Sequence, residues 1–116
     1  MIRFIYTPLL FLTTLSLADE GALLFNGNCA TCHHIKEASS APTINAVRSR
    51  YLQAFPQKND FINYLSTWVY KPSKKTSLMH DMIEKYGVMP ELAFDKESLK
   101  IIAKYIYEGK IEATTR

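Results

Sequence analysis

The two cysteines of this 116-residue chain stand three positions apart, in Cys29-Ala30-Thr31-Cys32, and a histidine, His33, follows at once. This pentad constrains the fold more than any other stretch. A disulfide between the two thiols would close a very short loop and remove little chain entropy from the unfolded state. A thioredoxin-type redox pair would sit at a strand-to-helix junction in a βαβ pattern, and no alternating segment precedes Cys29. Structural zinc would require a second pair of ligands at regular spacing, which the remaining histidines, His34 and His80, do not supply.

The order C-x-x-C-H is instead the pattern of covalent haem attachment. Each thiol adds to one of two neighbouring vinyl groups on the porphyrin edge and forms a thioether. Two intervening residues put both sulfurs on one side of a helical turn at about that separation. The next residue then turns its imidazole toward the iron. Cys29 and Cys32 are therefore the expected covalent attachment points of one haem c, and His33 is its expected proximal iron ligand.

A single domain is all that this length allows. Hydrophobic residues at 47% and charged residues at 22% describe an ordinary globular chain rather than a disordered one. So small a domain has a limited core of its own, and an apolar disc would extend it. The first eighteen residues differ from the rest. Arg3 is their only charge, Phe4 to Leu17 run apolar, and Ser16-Leu17-Ala18 precedes the acidic pair Asp19-Glu20. A charged start, an apolar run and small residues at a cleavage point make residues 1–18 a signal peptide, leaving residues 19–116 as the mature domain. A spanning helix needs about twenty apolar residues; this run is shorter and is broken by Thr7, Pro8, Thr13 and Thr14. No membrane span is expected after cleavage. The net charge of +3 is far from that of a nucleic-acid binder.

Along the mature chain the periodicity predicts helices and no strand. Asp19 to Asn26 reads as a short helix that Gly27 ends. Residues 36–50 carry no sustained period, and Ser39, Ser40 and Pro42 mark a loop. A helix capped by Asn59 has Phe61, Ile62, Leu65, Trp68 and Val69 on one face. Lys71-Pro72-Ser73-Lys74-Lys75-Thr76-Ser77 is a basic turn. Leu78, Met79, Met82, Ile83 and Tyr86 mark a further short helix stopped by Gly87, and Val88-Met89-Pro90 lies in the next loop. Asp95 caps the last helix, whose face is Leu99, Ile102, Ala103, Tyr105 and Ile106 before Gly109. Four helices joined by long loops make a weak frame alone and a sensible one around a disc.

Gly21, Phe25, the pentad, Pro42, the Met89-Pro90 pair and the closing Leu99 to Ile106 helix together resemble a monohaem class I cytochrome c of the small bacterial periplasmic type. The resemblance covers nearly all of residues 19–116. It implies an all-α fold of short helices around one covalently bound haem, with the first and last helices crossing. By the same analogy Gly21 and Phe25 meet Ile102 and Tyr105 at that crossing. The Pro42 carbonyl is expected to accept from Nδ1 of His33, a bond that orients an iron ligand.

For the second axial position the candidates are Met79, Met82, Met89 and His80, all accepted haem ligand types. Met79 and Met82 lie at helical spacing among apolar residues, where core packing accounts for them. Met89 sits in a loop before a proline, as the distal methionine of the family commonly does, and is the expected ligand, with Met82 and His80 as alternatives. Trp68 has an indole N–H that could reach a buried haem propionate. Lys71, Lys74 and Lys75 form either a solvated loop or a docking patch near the haem edge. The resemblance implies a monomeric periplasmic electron carrier of a respiratory chain, not an enzyme, that meets redox proteins transiently. The alternatives are a haem subunit held permanently on a periplasmic oxidoreductase, and an open-iron sensor or enzyme.

Overall fold

The computed structural model describes residues 3–10, 17–35, 37–109 and 111. Of the expected signal segment, residues 1, 2 and 11–16 lie outside the described residues, and residues 3–10 have no regular structure and are exposed. Five α-helices and no strand occur among the described residues: α1 (Leu17–Asn28), α2 (Ile44–Ala54), α3 (Lys58–Tyr70), α4 (His80–Tyr86) and α5 (Lys96–Glu108).

α5 is the hub, and its sequence accounts for both of its ends. The Asp95 carboxylate accepts from the Ser98 amide at 3.0 Å and from the Ser98 hydroxyl at 2.6 Å, satisfying an otherwise unpaired donor of the first turn. Gly109 closes the helix in the left-handed region at φ 70°, which glycine reaches without a Cβ clash. Between them Leu99, Ile102, Ala103, Tyr105 and Ile106 are buried on one face, as their spacing predicts.

α1 crosses α5 at Gly21. A Cβ built on Gly21 would stand 2.8 Å from Tyr105 Cβ and 3.2 Å from the Ile101 carbonyl, so only a glycine admits this approach. One turn on, Phe25 is fully buried with its ring 5.7 Å from that of Tyr105. On the other side α3 packs against α5, with fully buried Phe61 edge-on to Tyr107 at 5.1 Å. Burying each phenylalanine contributes about 1.5–3 kcal/mol.

Three expectations need correction. α1 runs through Gly27 to Asn28 rather than ending at Gly27, because nothing crowds that position and the backbone there stays helical. Residues 36–50 are expected to be irregular, yet from Ile44 the chain forms α2, whose N-cap Thr43 accepts from the Ala46 amide at 3.2 Å. Its buried face is only Ile44, Val47 and Tyr51, a stripe one residue wide between Asn45, Arg48 and Arg50. α3 starts at Lys58 with Gln57, not Asn59, at the cap. α2 is fastened to the hub by Arg48, which donates from Nε to the Ile106 carbonyl and from a terminal nitrogen to that of Tyr107, both at 3.0 Å.

Candidate functional site

The pentad continues directly from α1. The Cys29 amide donates to the Phe25 carbonyl at 2.8 Å, and the His33 amide donates to that of Cys29 at 2.9 Å. The pentad is thus one helix-like turn, with Cys29 and Cys32 at i and i+3 on the same side. Both cysteines are free thiols, Cys29 half-buried and Cys32 exposed. Burial first, and the neighbouring Cys32 second, push the Cys29 thiol up to about 11. At neutral pH the free thiol therefore stays protonated.

The loop after the pentad folds back onto it. The Ile44 amide donates to the His34 carbonyl at 3.0 Å, and this return places the Pro42 carbonyl 2.9 Å from Nδ1 of His33. A carbonyl can only accept, so Nδ1 carries the hydrogen and Nε2 keeps its lone pair. Burial lowers the imidazole pKa, with the Pro42 bond opposing, so the ring is held neutral. A half-buried neutral imidazole with one nitrogen fixed and the other free has the form of a metal ligand.

Cys29, Cys32 and His33 border a cavity of about 330 Å³ whose walls are mostly carbon. The cavity is also lined by residues of α3, α4 and the loop after α4, among them Met79, Met82 and Met89. Cys29, His33 and Met89 also line a smaller cavity of about 50 Å³ behind it, against Leu99 and Ile102 of α5. Met79 is buried, Met82 and Met89 are partly exposed, and His80 is exposed and off the wall. Gly87 turns the chain out of α4 at φ 83°, and Val88-Met89-Pro90 follows along the cavity.

Trp68 borders the cavity, but its indole N–H donates to the Ser73 carbonyl at 3.0 Å. That bond brings the turn of residues 71–77 close onto the end of α3. Lys71, Lys74 and Lys75 are exposed on that same turn. The residue that sequence reasoning passed over is Tyr51, placed on the cavity wall by the unexpected α2.

α4 tests the fit of a large apolar body. None of its residues is buried, yet Met82, Ile83 and Tyr86 all face the cavity. Its apolar side therefore packs on the cavity rather than on another helix. Free thiols at i and i+3, a neutral imidazole beside them, and thioethers and carbon walls lining the same cavity make a donor set that suits a covalently held haem. No cluster of three or more His, Cys, Asp or Glu suited to a bare metal ion occurs among the described residues.

An all-helical frame closed on such a cavity, with its first and last helices crossing at a glycine, defines a small haem-carrying domain. Residues 18–110 match the Cytochrome c family, and the chain belongs to it. The cofactor is accordingly covalently bound haem c, and Cys29 and Cys32 stand in the pattern that takes it. The chain is also similar to an uncharacterized protein of Aquifex aeolicus (strain VF5), 23% identical over 120 aligned positions that cover 84% of this chain and 78% of that protein. No solved structure matches. Membership implies haem-based electron transfer and contact with redox partners.

Proposed function

We propose that the chain is an exported, periplasmic one-electron carrier with His33 and Met89 as the axial ligands of a single haem c. The supporting observation is that Cys29, His33 and Met89 share the walls of both cavities, with the His33 ring already oriented by the Pro42 carbonyl. The haem supplies one-electron ferric–ferrous chemistry when bound. Cys29 and Cys32 hold its edge on the turn after α1. Nδ1–H of His33 stays on Pro42, which keeps Nε2 directed to the iron and raises the basicity of the ligand. Met89, which lines the same cavities, would supply the thioether, and a methionine ligand paired with histidine raises the reduction potential.

With both axial positions filled by the chain itself, no substrate reaches the iron, which is the behaviour of a carrier and not of an enzyme. The exposed Lys71, Lys74 and Lys75 border the Trp68–Ser77 side of the cavity and would steer an acidic redox partner there, governing encounter rate more than affinity. Residues 1–18 act as the export signal and leave after Ala18. No described helix is long and apolar enough to cross a membrane.

The test is the visible spectrum of protein exported alongside a cytochrome c maturation system. A covalent low-spin haem with the weak far-red band of a sulfur–ferric bond is expected, and Met89→Ala removes that band while Met82→Ala and His80→Ala retain it. A high-spin wild-type spectrum that shifts with carbon monoxide or cyanide would replace the carrier with an open-iron protein.

A further inference from the structure

Among the described residues one that is not glycine has a positive φ: Ala93, at 57°. There an L-residue brings its Cβ close to the following carbonyl oxygen, so alanine occupies this region at a cost. Such a cost persists only where the surrounding structure fixes the backbone. Ala93 ends the loop that carries Met89, and Gly87, at φ 83°, begins it. Two positive-φ positions thus bracket Val88 to Leu92.

Little else holds this loop. Among the described residues, none from Val88 to Phe94 takes part in a hydrogen bond or an ion pair. From Gly87 to Ala93 every residue is exposed except Met89, which lines both cavities. Phe94 packs on the core, and Asp95 is fixed as the cap of α5. With no polar bond to set its backbone, Ala93 takes the conformation that Met89 on one side and Phe94 on the other require. The Met89 side is the weaker of the two. No residue of α4 is buried, whereas Leu99 and Ile102 hold α5 in the core. Strain at Ala93 is therefore relieved when Met89 leaves its place, not by a movement of α5.

We propose that Ala93 is a positioning residue for Met89: its backbone sets where Met89 stands, and the strain held there opposes the bond between Met89 and the haem iron. This inference rests on the reading of Met89 as the axial ligand. It describes a ligand under tension, displaced more easily than a thioether on a relaxed loop. An ordinary loop alanine behaves in the opposite way. Glycine in its place adds freedom to the detached loop and weakens the hold. At a strained positive-φ site glycine removes the Cβ contact and strengthens it. The sign of the Ala93→Gly effect separates the two.

In the experiment the ferric, exported holoprotein is titrated with imidazole, which competes for the iron, and loss of the far-red sulfur–ferric band is followed. Wild type is expected to yield its band. In Ala93→Gly the apparent dissociation constant of imidazole should rise about three- to fivefold. In Ala93→Val, a β-branched residue still less suited to positive φ, it should fall, or the band should weaken before imidazole is added. Arg48→Met loosens α2 at the other end of α5; it should lower stability to urea and leave the imidazole constant where it was. A constant that is unchanged or lower in Ala93→Gly overturns the inference. So does a change in Arg48→Met as large as that in Ala93→Val, since the effect then follows overall stability. A wild-type band that imidazole does not displace overturns it too. A wild-type ferric spectrum without the far-red band overturns the axial reading of Met89 itself, whereas a band present with the wrong sign for glycine overturns this inference alone.

Discussion

Gly21 and Gly27 lie six residues apart on the same helix, and alanine at the two positions should act in opposite directions. At Gly21 the new Cβ would meet Tyr105 Cβ at 2.8 Å and the Ile101 carbonyl at 3.2 Å. Both are close to the α5 backbone, so no flexible side-chain end can swing aside and the crossing must open. Overpacking of this kind costs about 1–3 kcal/mol, and the higher helix propensity of alanine returns about 1 kcal/mol. The net expectation for Gly21→Ala is roughly 1 kcal/mol of destabilisation. At Gly27 nothing lies within 4 Å of the new Cβ, so only the propensity gain remains, about 0.4–1 kcal/mol. For a domain of this size 1 kcal/mol corresponds to a midpoint shift of about 4–8 °C. Thermal and urea unfolding of the ferric holoprotein, followed by far-ultraviolet circular dichroism, measures both. A covalent haem stays on the unfolded chain, so the comparison does not depend on cofactor concentration. If Gly21→Ala matches or exceeds the stability of Gly27→Ala, the close crossing of α1 on α5 is wrong.

Other substitutions test the remaining joints. Arg48→Met removes the guanidinium that satisfies the Ile106 and Tyr107 carbonyls; hydrogen bonds from a charged donor contribute about 1.5–3 kcal/mol, and urea unfolding should register a loss on that scale. Phe25→Ala empties a fully buried site beside Tyr105 and is expected to cost about 3–5 kcal/mol, read as a collapse of the yield of folded holoprotein. Asp81, paired to Arg50 by two bonds of 2.6 and 2.9 Å, has its carboxyl pKa lowered by that hydrogen bonding. A lowered folded value means a contribution present above the ordinary aspartate pKa of about 4 and lost as pH falls through the folded one. The midpoint difference between wild type and Asp81→Asn should therefore be present at neutral pH and vanish in acid; a difference that grows in acid refutes the pairing.

The parts legible in the sequence are those where a local rule and a tertiary demand agree. α5 announces itself because Asp95, a wide apolar face and Gly109 all point to the same helix. The pentad is legible because its spacing answers to the dimensions of a porphyrin edge rather than to the rest of the chain. α2 was not legible for a physical reason: Ile44, Val47 and Tyr51 make a stripe too narrow to stand out among Asn45, Arg48, Ser49 and Arg50, and the helix is fixed by Thr43 at its cap and by Arg48 reaching α5. Gly27 misled for the converse reason, since glycine is permitted but not required to leave a helix. Trp68 offered a donor, and no local pattern shows that the next turn brings the Ser73 carbonyl onto it.

The cavity also explains why α4 was legible only in part. Its apolar residues, Met82, Ile83 and Tyr86, have helical spacing, yet none is buried by the protein alone. The segment from Ser73 to Met89 is tied to the helical frame by a few side-chain hydrogen bonds, Trp68 to Ser73, Tyr64 to Thr76 and the paired bonds of Arg50 to Asp81, and by the buried Met79. Exposed ion pairs such as Arg50–Asp81 hold weakly, and the Tyr64 bond is also exposed. The apolar surface needed to fix α4 is thus supplied by whatever fills the cavity. α1, α3 and α5 have a core of their own in Phe25, Phe61 and Ile102, so they form the part of the fold that does not wait for the cofactor. Covalent attachment on the turn after α1 places that missing surface on the stable part of the chain. The segment that carries Met89 borders the same cavity.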